Sequence, residues 1–97
     1  MGMKTFVLIC RDTKDSKEKR PIVREAHLNY WRPYDEAGLI HLAGPMTDFA
    51  GSIFILRAES EEEVRKLAEN DPYTKADVFE SHEVHPFKCV LPATQFR

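Results

Sequence analysis

Cysteine is scarce in this sequence, which has 2 cysteines, Cys10 and Cys89, among 97 residues. Two cysteines are too few for a disulfide scaffold or for a cysteine-rich zinc site. Both stand in apolar runs, so we interpret them as small core residues. Proteins that depend on a framework of cysteines are therefore excluded.

Charge of one sign and long hydrophobic runs are lacking as well. The 14 basic and 16 acidic residues give a formal net charge of -2 and are scattered in short mixed runs, so no basic surface predicts a nucleic-acid partner. The longest apolar run, residues 6–10, is far shorter than the roughly 20 residues of a membrane-spanning helix. The first residues show no signal-peptide pattern. We therefore expect a cytoplasmic protein with no nucleic-acid or membrane partner.

What the chain does have is the composition of an ordinary globular protein. Of its 97 residues 42% are hydrophobic and 31% are charged, which favours one folded domain over residues 1–97. Residues 3–10 predict a strand. Asp15 or Ser16 can begin a helix whose apolar positions recur every three to four residues until Gly38. Pro33 should kink or split this helix, because proline removes a backbone donor.

The second half of the chain predicts two more strands, a helix and a last strand. Residues 39–43 and 52–58 are apolar runs joined by a turn-rich segment. Ser60 can cap a helix that ends at Pro72, since the residue before proline avoids helical geometry. A last strand covers about residues 78–90 and contains Pro86, as edge strands do.

The order β-α-β-β-α-β predicts a ferredoxin-like α+β fold, in which a four-stranded antiparallel sheet carries both helices on one face. The opposite face also needs a cover. Residues 6–9 and 53–56 are apolar in succession, whereas a sheet with one wet face should alternate. We expect a second copy of the chain to cover this face in a two-fold homodimer. The alternative is that these strands simply expose a few apolar side chains.

Several short segments, in order along nearly the whole chain, resemble the YciI family, also called the YCII-related domain. No single segment is specific, but the ordered set is. The resemblance implies the compact dimeric α+β barrel of that family. The matching segments are Glu-Lys-Arg at 18–20, Val-Arg-Glu-Ala-His-Leu at 23–28, Ala-Gly-Pro-Met at 43–46, Gly-Ser at 51–52, Asn-Asp-Pro-Tyr at 70–73 and His-Pro-Phe-Lys at 85–88.

The resemblance also implies a histidine and aspartate pair as an active site. By motif, these residues are His27 in Arg-Glu-Ala-His-Leu and Asp71 in Asp-Pro-Tyr. Some relatives look like dehydrochlorinases or lactone isomerases that act on small ring compounds, which implies a lyase or isomerase. The chain departs from the family at the short loop 45–51 and at Cys89, where basic residues are common.

The predicted helix brings Arg24, His27 and Trp31 to one side, because they follow one another at three- and four-residue steps. If Asp71 bonds one ring nitrogen of His27, it fixes the tautomer and leaves the other nitrogen to take a proton from a substrate. Further groups must bind the substrate and its developing anion. The candidates for binding the anion are Arg24, Arg11, Ser52 and the backbone amides after Gly44. Trp31 and Tyr73 are further candidates for binding the substrate.

Each of these residues also has a structural interpretation. A lone histidine on a partly apolar helix face is often a structural residue, and Asp71 can simply cap the helix that follows it. His82 and His85 suggest a metal site, but residues three apart in a strand point to opposite faces. We therefore predict neither a metal nor a cofactor.

Two function classes remain open. The first is a cofactor-independent small-molecule enzyme of the lyase or isomerase type, in which His27 moves a proton. The second is a non-catalytic binding or regulatory module that holds a small ligand in the same cleft. The second class is favoured by the lack of a nucleophile motif, a phosphate-binding loop or a set of metal ligands.

Overall fold

The computed structural model describes residues 2–92, so residues 1 and 93–97 of the predicted domain lie outside it. Four strands form one antiparallel sheet in the order β2-β3-β1-β4. The predicted ferredoxin-like α+β fold is confirmed, with its helices on one face of the sheet. The elements are β1 (Lys4–Asp12), α1 (Ser16–Glu36), β2 (Ile40–Pro45), β3 (Gly51–Ala58), α2 (Glu61–Glu69), α3 (Pro72–Lys75) and β4 (Phe79–Pro86).

The first helix runs unbroken through Pro33, so the predicted split is wrong. Pro33 stands in the last turns of α1, where its missing N–H removes one backbone bond and the remaining turn still closes. The N–H of Ala37 donates to the Pro33 carbonyl at 3.1 Å. Gly38 follows with a φ of 76°, a left-handed conformation that glycine adopts without strain, and it ends the helix as predicted.

The second helix begins at the predicted cap. The Ser60 hydroxyl accepts a bond from the N–H of Glu63 at 3.1 Å, and the Glu63 carboxylate accepts from the N–H of Glu59 at 2.8 Å. Two strand ends differ from expectation, because β2 continues to Pro45 and β4 ends at Pro86. Both are edge strands and have a neighbouring strand on one side only. A proline, which lacks an N–H donor, is therefore tolerated in them.

The core lies between the helices and one face of the sheet. Alternate residues of β1 and β3 point into it, and Val64 and Ala68 of α2 pack against them. None of the helices in residues 2–92 is both long and apolar enough to cross a bilayer. The buried residues of the sheet include Phe6, Leu8, Cys10, Phe54, Leu56 and Val84.

The opposite face of the sheet is also apolar. Its central residues, Val7 and Ile9 of β1 and Ile53 and Ile55 of β3, pair across the two strands and are partly exposed. Leu42 of β2 is opposite Ile55 and is 50% exposed. We call this surface of five residues the open sheet face. It corresponds to the surface for which the sequence predicts a partner copy.

Candidate active site

A histidine and a carboxylate meet between α1 and the start of α3. The Nδ1 atom of His27 lies 2.8 Å from Oδ1 of Asp71, and their side chains are 13% and 1% exposed. His27 stands in the middle of α1, whereas Asp71 follows α2 directly. The tertiary structure therefore brings together two residues that are far apart in sequence.

The Asp71 carboxylate is held by three donors. Besides His27, the backbone N–H of Tyr73 donates to Oδ1 at 2.9 Å and the indole N–H of Trp31 donates to Oδ2 at 2.8 Å. The bond to Tyr73 makes Asp71 the N-cap of α3, as the structural interpretation predicted. The carboxylate thus caps a helix and orients a histidine at the same time.

The bonds of Asp71 determine which nitrogen of His27 carries hydrogen. An ionised carboxylate only accepts hydrogen bonds, so Nδ1 of His27 must be the donor. The neutral ring then presents an unprotonated Nε2. None of the residues in the described range 2–92 forms a hydrogen bond with that atom. The arrangement can therefore take a proton at Nε2 while Asp71 stabilises the imidazolium that results.

Aromatic rings enclose the imidazole of His27. Tyr73 stacks on it with ring centroids 3.9 Å apart and planes 9° apart. Phe54 and Phe79 present their edges, each at a centroid distance of 6.3 Å. Burial raises the pKa of the Tyr73 phenol, and the positive charges of Arg20 and Arg24 partly oppose this. Tyr73 is therefore a neutral wall of the site.

A second ion pair lies beside the first. Arg20 of α1 donates to both carboxylate oxygens of Asp12, from Nε and from Nη2, at 2.8 Å each. The Arg20 side chain is 12% exposed and that of Asp12 is 1% exposed. Nη2 of Arg20 also donates to the hydroxyl of Ser52 at 3.1 Å. Its bond with Asp12 raises the pKa of Arg20, so this group stays charged.

Cys10 lies within electrostatic reach of both pairs. The pKa of its thiol is raised to about 12, mainly by burial and also by the charges of Asp71 and Asp12, while the charge of Arg20 opposes the rise. The thiol is therefore neutral at physiological pH and is not a nucleophile. Cys10 is 1% exposed, which agrees with its interpretation as a core residue. The same interpretation is wrong for Cys89, which is partly exposed and lies outside the core cluster.

The predicted substrate-binding residues are not all brought to the pair. Trp31 is buried and bonds Asp71, and Tyr73 stacks on His27. Ser52 contacts Arg20 instead. Arg24 is exposed on α1, though its charge reaches Tyr73. Arg11 binds Glu83 at 3.2 Å and stands next to the buried Cys10, so it points to the opposite face of the sheet.

Sequence reasoning missed Arg20. Its signal is the spacing of the buried side of α1, which recurs at positions 16, 20, 23, 27, 31 and 34. An arginine at a position where the helix faces the core is unusual unless it has a partner. Arg24, which the sequence selects together with His27 and Trp31, lies between these positions and is exposed.

The surface formed by residues 2–92 includes two hollows near these pairs. One of about 820 Å³ is formed by the segment before α1 and by Asp12, and one of about 310 Å³ lies between α1 and β2 and includes Trp31. His27 lines neither of them. The larger hollow nevertheless includes Asp12, which is paired with Arg20, and the smaller one includes Trp31, which donates to Asp71. The two histidines considered as metal ligands lie three residues apart on β4, where His82 is opposite Cys10 and His85 is opposite Val7.

The fold and the contact between His27 and Asp71 define a ferredoxin-like α+β protein in which a histidine is bonded to a buried aspartate. Comparison with known families makes this more specific. The model of the YCII-related domain matches residues 4–88, and the chain belongs to this family. The predicted resemblance to the YciI family is therefore confirmed.

Individual relatives agree with this assignment. The chain is 38% identical over 96 residues to Protein YciI of Escherichia coli O6:H1, a match that covers 89% of this chain and 98% of the relative. It is 42% identical over 69 residues to the derivative of benzaldehyde biosynthesis cluster protein C of Emericella nidulans, which covers 60% of this chain and 70% of that protein.

Solved structures show the same architecture. The chain superimposes with a TM-score of 0.78 and 33% identity on the 5-chloro-2-hydroxyhydroquinone dehydrochlorinase TftG of Burkholderia phenoliruptrix AC1100, in complex with 2,5-dihydroxybenzoquinone, over 87% of this chain and 93% of that one. A NIPSNAP family protein from Agrobacterium tumefaciens is 20% identical with a TM-score of 0.54, over 90% and 92% of the two chains. The latter likeness concerns the fold alone.

Proposed function

We propose that this protein is a cofactor-independent enzyme that acts on a small ring compound by proton transfer, as a lyase or an isomerase. His27 is the acid–base group, and Asp71 orients it. The observation that carries the proposal is the 2.8 Å contact between Nδ1 of His27 and a carboxylate that Trp31 and Tyr73 hold in place. A base held at one nitrogen by a fixed carboxylate is suited to accept a proton at the other.

The similarity to TftG supports the choice of substrate class. That relative is a dehydrochlorinase of a chlorinated hydroxyhydroquinone and has been solved with a dihydroxybenzoquinone bound. The two chains match over most of their lengths. We therefore propose a hydroxylated six-membered ring as the substrate of this protein.

Loss of hydrogen chloride from such a ring is a proton-transfer reaction. His27 takes a proton from a ring hydroxyl and returns it to the carbon that bears chlorine. A second hydroxyl then loses its proton, and its electron pair moves into the ring as the carbon–chlorine bond breaks and chloride leaves. One proton and one chloride are lost in total, so the reaction requires no external oxidant. An isomerase would use the first proton transfer alone.

Replacement of His27 by glutamine tests this mechanism. With 5-chloro-2-hydroxyhydroquinone as substrate, we expect chloride release by His27→Gln to fall about 10²- to 10⁴-fold, because general acid–base catalysis contributes about this much. The matched control is His85→Gln, since His85 is exposed on β4 and binds Glu83. Chloride release that is equal in the two variants would refute the role of His27.

The alternative is a non-catalytic module that binds a small ligand. It is favoured by the enclosure of His27, whose side chain is only 13% exposed and which joins α1 to the cap of α3. In that case 2,5-dihydroxybenzoquinone would bind, but no ring compound in the assay would be converted in a His27-dependent manner. The same pair of variants distinguishes the two functions.

We further propose that the open sheet face pairs with the same face of a second copy. Sedimentation at micromolar concentration should then show a dimer of the 11.2 kDa chain. Ile53→Asp should dissociate it, because a buried interface does not tolerate an unpaired charge. The matched control is Ile22→Asp on α1, where the isoleucine is already 83% exposed. A monomeric unmodified protein would refute the pairing.

A further inference from the structure

The buried ion pair of Arg20 and Asp12 has donors that the fold leaves unused. Nε and Nη2 of Arg20 are bonded to Asp12 and Ser52. The phenol of Tyr73 is a further hydrogen-bond partner of the Arg20 side chain and raises its pKa. Nη1 carries two N–H groups, and within residues 2–92 neither Asp12 nor Ser52 accepts a hydrogen bond from it. The hydroxyl of Ser52 accepts from Arg20, and its own hydrogen has no acceptor in the same range. Donors that the pairing with Asp12 does not use therefore remain on two largely buried side chains, Arg20 and Ser52.

Arg20 and His27 contact the same aromatic rings. The guanidinium carbon of Arg20 is 5.2 Å from the ring centroid of Tyr73 and 5.6 Å from that of Phe79. The same two rings contact the imidazole of His27. Ser52 also points to the same face of β3 as Phe54, whose ring presents its edge to His27. His27 and Arg20 thus share an aromatic wall, and Ser52 is bonded to Arg20 beside it.

Asp12 keeps the guanidinium in one orientation. Its carboxylate binds the Nε and Nη2 edge and offsets much of the positive charge, so what remains is a set of directed N–H donors. Directed N–H donors of this kind are suited to bind a single ionised oxygen. Arg24 is exposed and Arg11 is bound to Glu83 on the other face, so neither is placed as Arg20 is.

We propose that Arg20 and Ser52 form an anion-binding subsite that receives an ionised ring oxygen of the substrate. The role of His27 beside it rests on the proposed function. The inference narrows the substrate class to rings with an acidic hydroxyl, whose oxygen is bound by Nη1 of Arg20 and by the Ser52 hydroxyl. These donors stabilise the anion while His27 moves the proton.

A binding experiment tests the subsite without any turnover. The acidic probe is 2,5-dihydroxybenzoquinone, a vinylogous acid that is ionised at neutral pH, and the neutral probe is 2,5-dimethoxybenzoquinone. Titration calorimetry should show that the unmodified protein binds the acid more tightly. In the double variant Asp12→Asn/Arg20→Gln, which leaves no unpaired buried charge, affinity for the acid should fall about 10- to 100-fold, the range expected for hydrogen bonds to a charged group.

The matched control removes a different arginine–carboxylate pair. Arg65 and Glu61 form such a pair on α2, partly exposed and remote in sequence from Arg20. Glu61→Gln/Arg65→Gln should keep the affinity of the unmodified protein. Ser52→Ala is a second variant that leaves the Arg20 pair intact, and its affinity for the acid should fall about tenfold. It tests the subsite even if the double variant does not fold.

The outcomes separate this inference from the proposed function. Unchanged affinity for the acid in folded Asp12→Asn/Arg20→Gln or in Ser52→Ala would overturn the subsite, as would a lack of preference for the acid in the unmodified protein. Chloride release that depends on His27 would survive such a result. Conversely, Arg20-dependent binding with no turnover would overturn the enzyme and keep the subsite.

Discussion

Replacement of Asp71 by alanine is expected to lower the free energy of unfolding by about 3 to 5 kcal/mol, because it leaves buried groups without their partner. The carboxylate is 1% exposed and accepts from the ring of His27, the indole of Trp31 and the backbone of Tyr73. The indole and the backbone N–H cannot reach water from these positions. Urea unfolding followed by tryptophan fluorescence measures the loss.

Two other variants make this result interpretable. Asp71→Asn keeps a carbonyl oxygen of the same size, so it should lose less stability than Asp71→Ala. Asp15→Ala is the matched control, since Asp15 is the N-cap of α1 but its side chain forms no capping bond. Its cost should remain within about 0.5 kcal/mol. Equal losses for Asp71→Ala and Asp15→Ala would contradict the network around Asp71.

Replacement of Gly51 by alanine should have a comparably large effect. A Cβ atom at Gly51 would lie 2.0 Å from the carbonyl oxygen of Cys10 and 3.0 Å from its carbonyl carbon. Both are backbone atoms of β1, which pairs with β3 at this position, so they cannot move without disturbing the sheet. We expect a loss of about 3 kcal/mol in the free energy of unfolding. Thermal unfolding measures it.

Gly44 provides the control for this substitution. It also lies in a strand, but a Cβ atom there would have no neighbour within 4 Å. Gly44→Ala should change stability by about 0.5 kcal/mol or less. If Gly51→Ala were as stable as Gly44→Ala, the close approach of β1 and β3 would not be a rigid feature. Because Ser52 follows Gly51, the strained variant should also weaken binding at the proposed anion subsite.

Local signals were sufficient for most of the elements. The cap at Ser60 and the stop at Gly38 are decided by bonds between residues that are close in sequence, and both appear as predicted. The end of β2 was misjudged because Pro45 is acceptable in an edge strand, and only the strand order reveals which strands are edges. The expected split of α1 at Pro33 does not occur, because few residues of the helix follow this proline.

The site was predictable only in part. His27 and Asp71 were selected through resemblance to a family, and their catalytic role stays a prediction. Trp31 was selected as a substrate-binding residue, yet its indole bonds Asp71 within the core. Arg20 was missed, since its importance lies in a pairing with Asp12 that helix spacing does not specify.

By itself, the sequence determined the order of strands and helices and the family, because hydrophobic periodicity, capping residues and ordered motifs are local properties. It selected His27 and Asp71 as a predicted pair through the family resemblance. Only the tertiary structure decided that Asp71 has three donors, that Arg20 rather than Arg24 faces the site, and that Arg11 lies on the other side of the sheet. These features depend on the register of strands and the rotation of α1. Both are set by packing between segments that are distant in sequence.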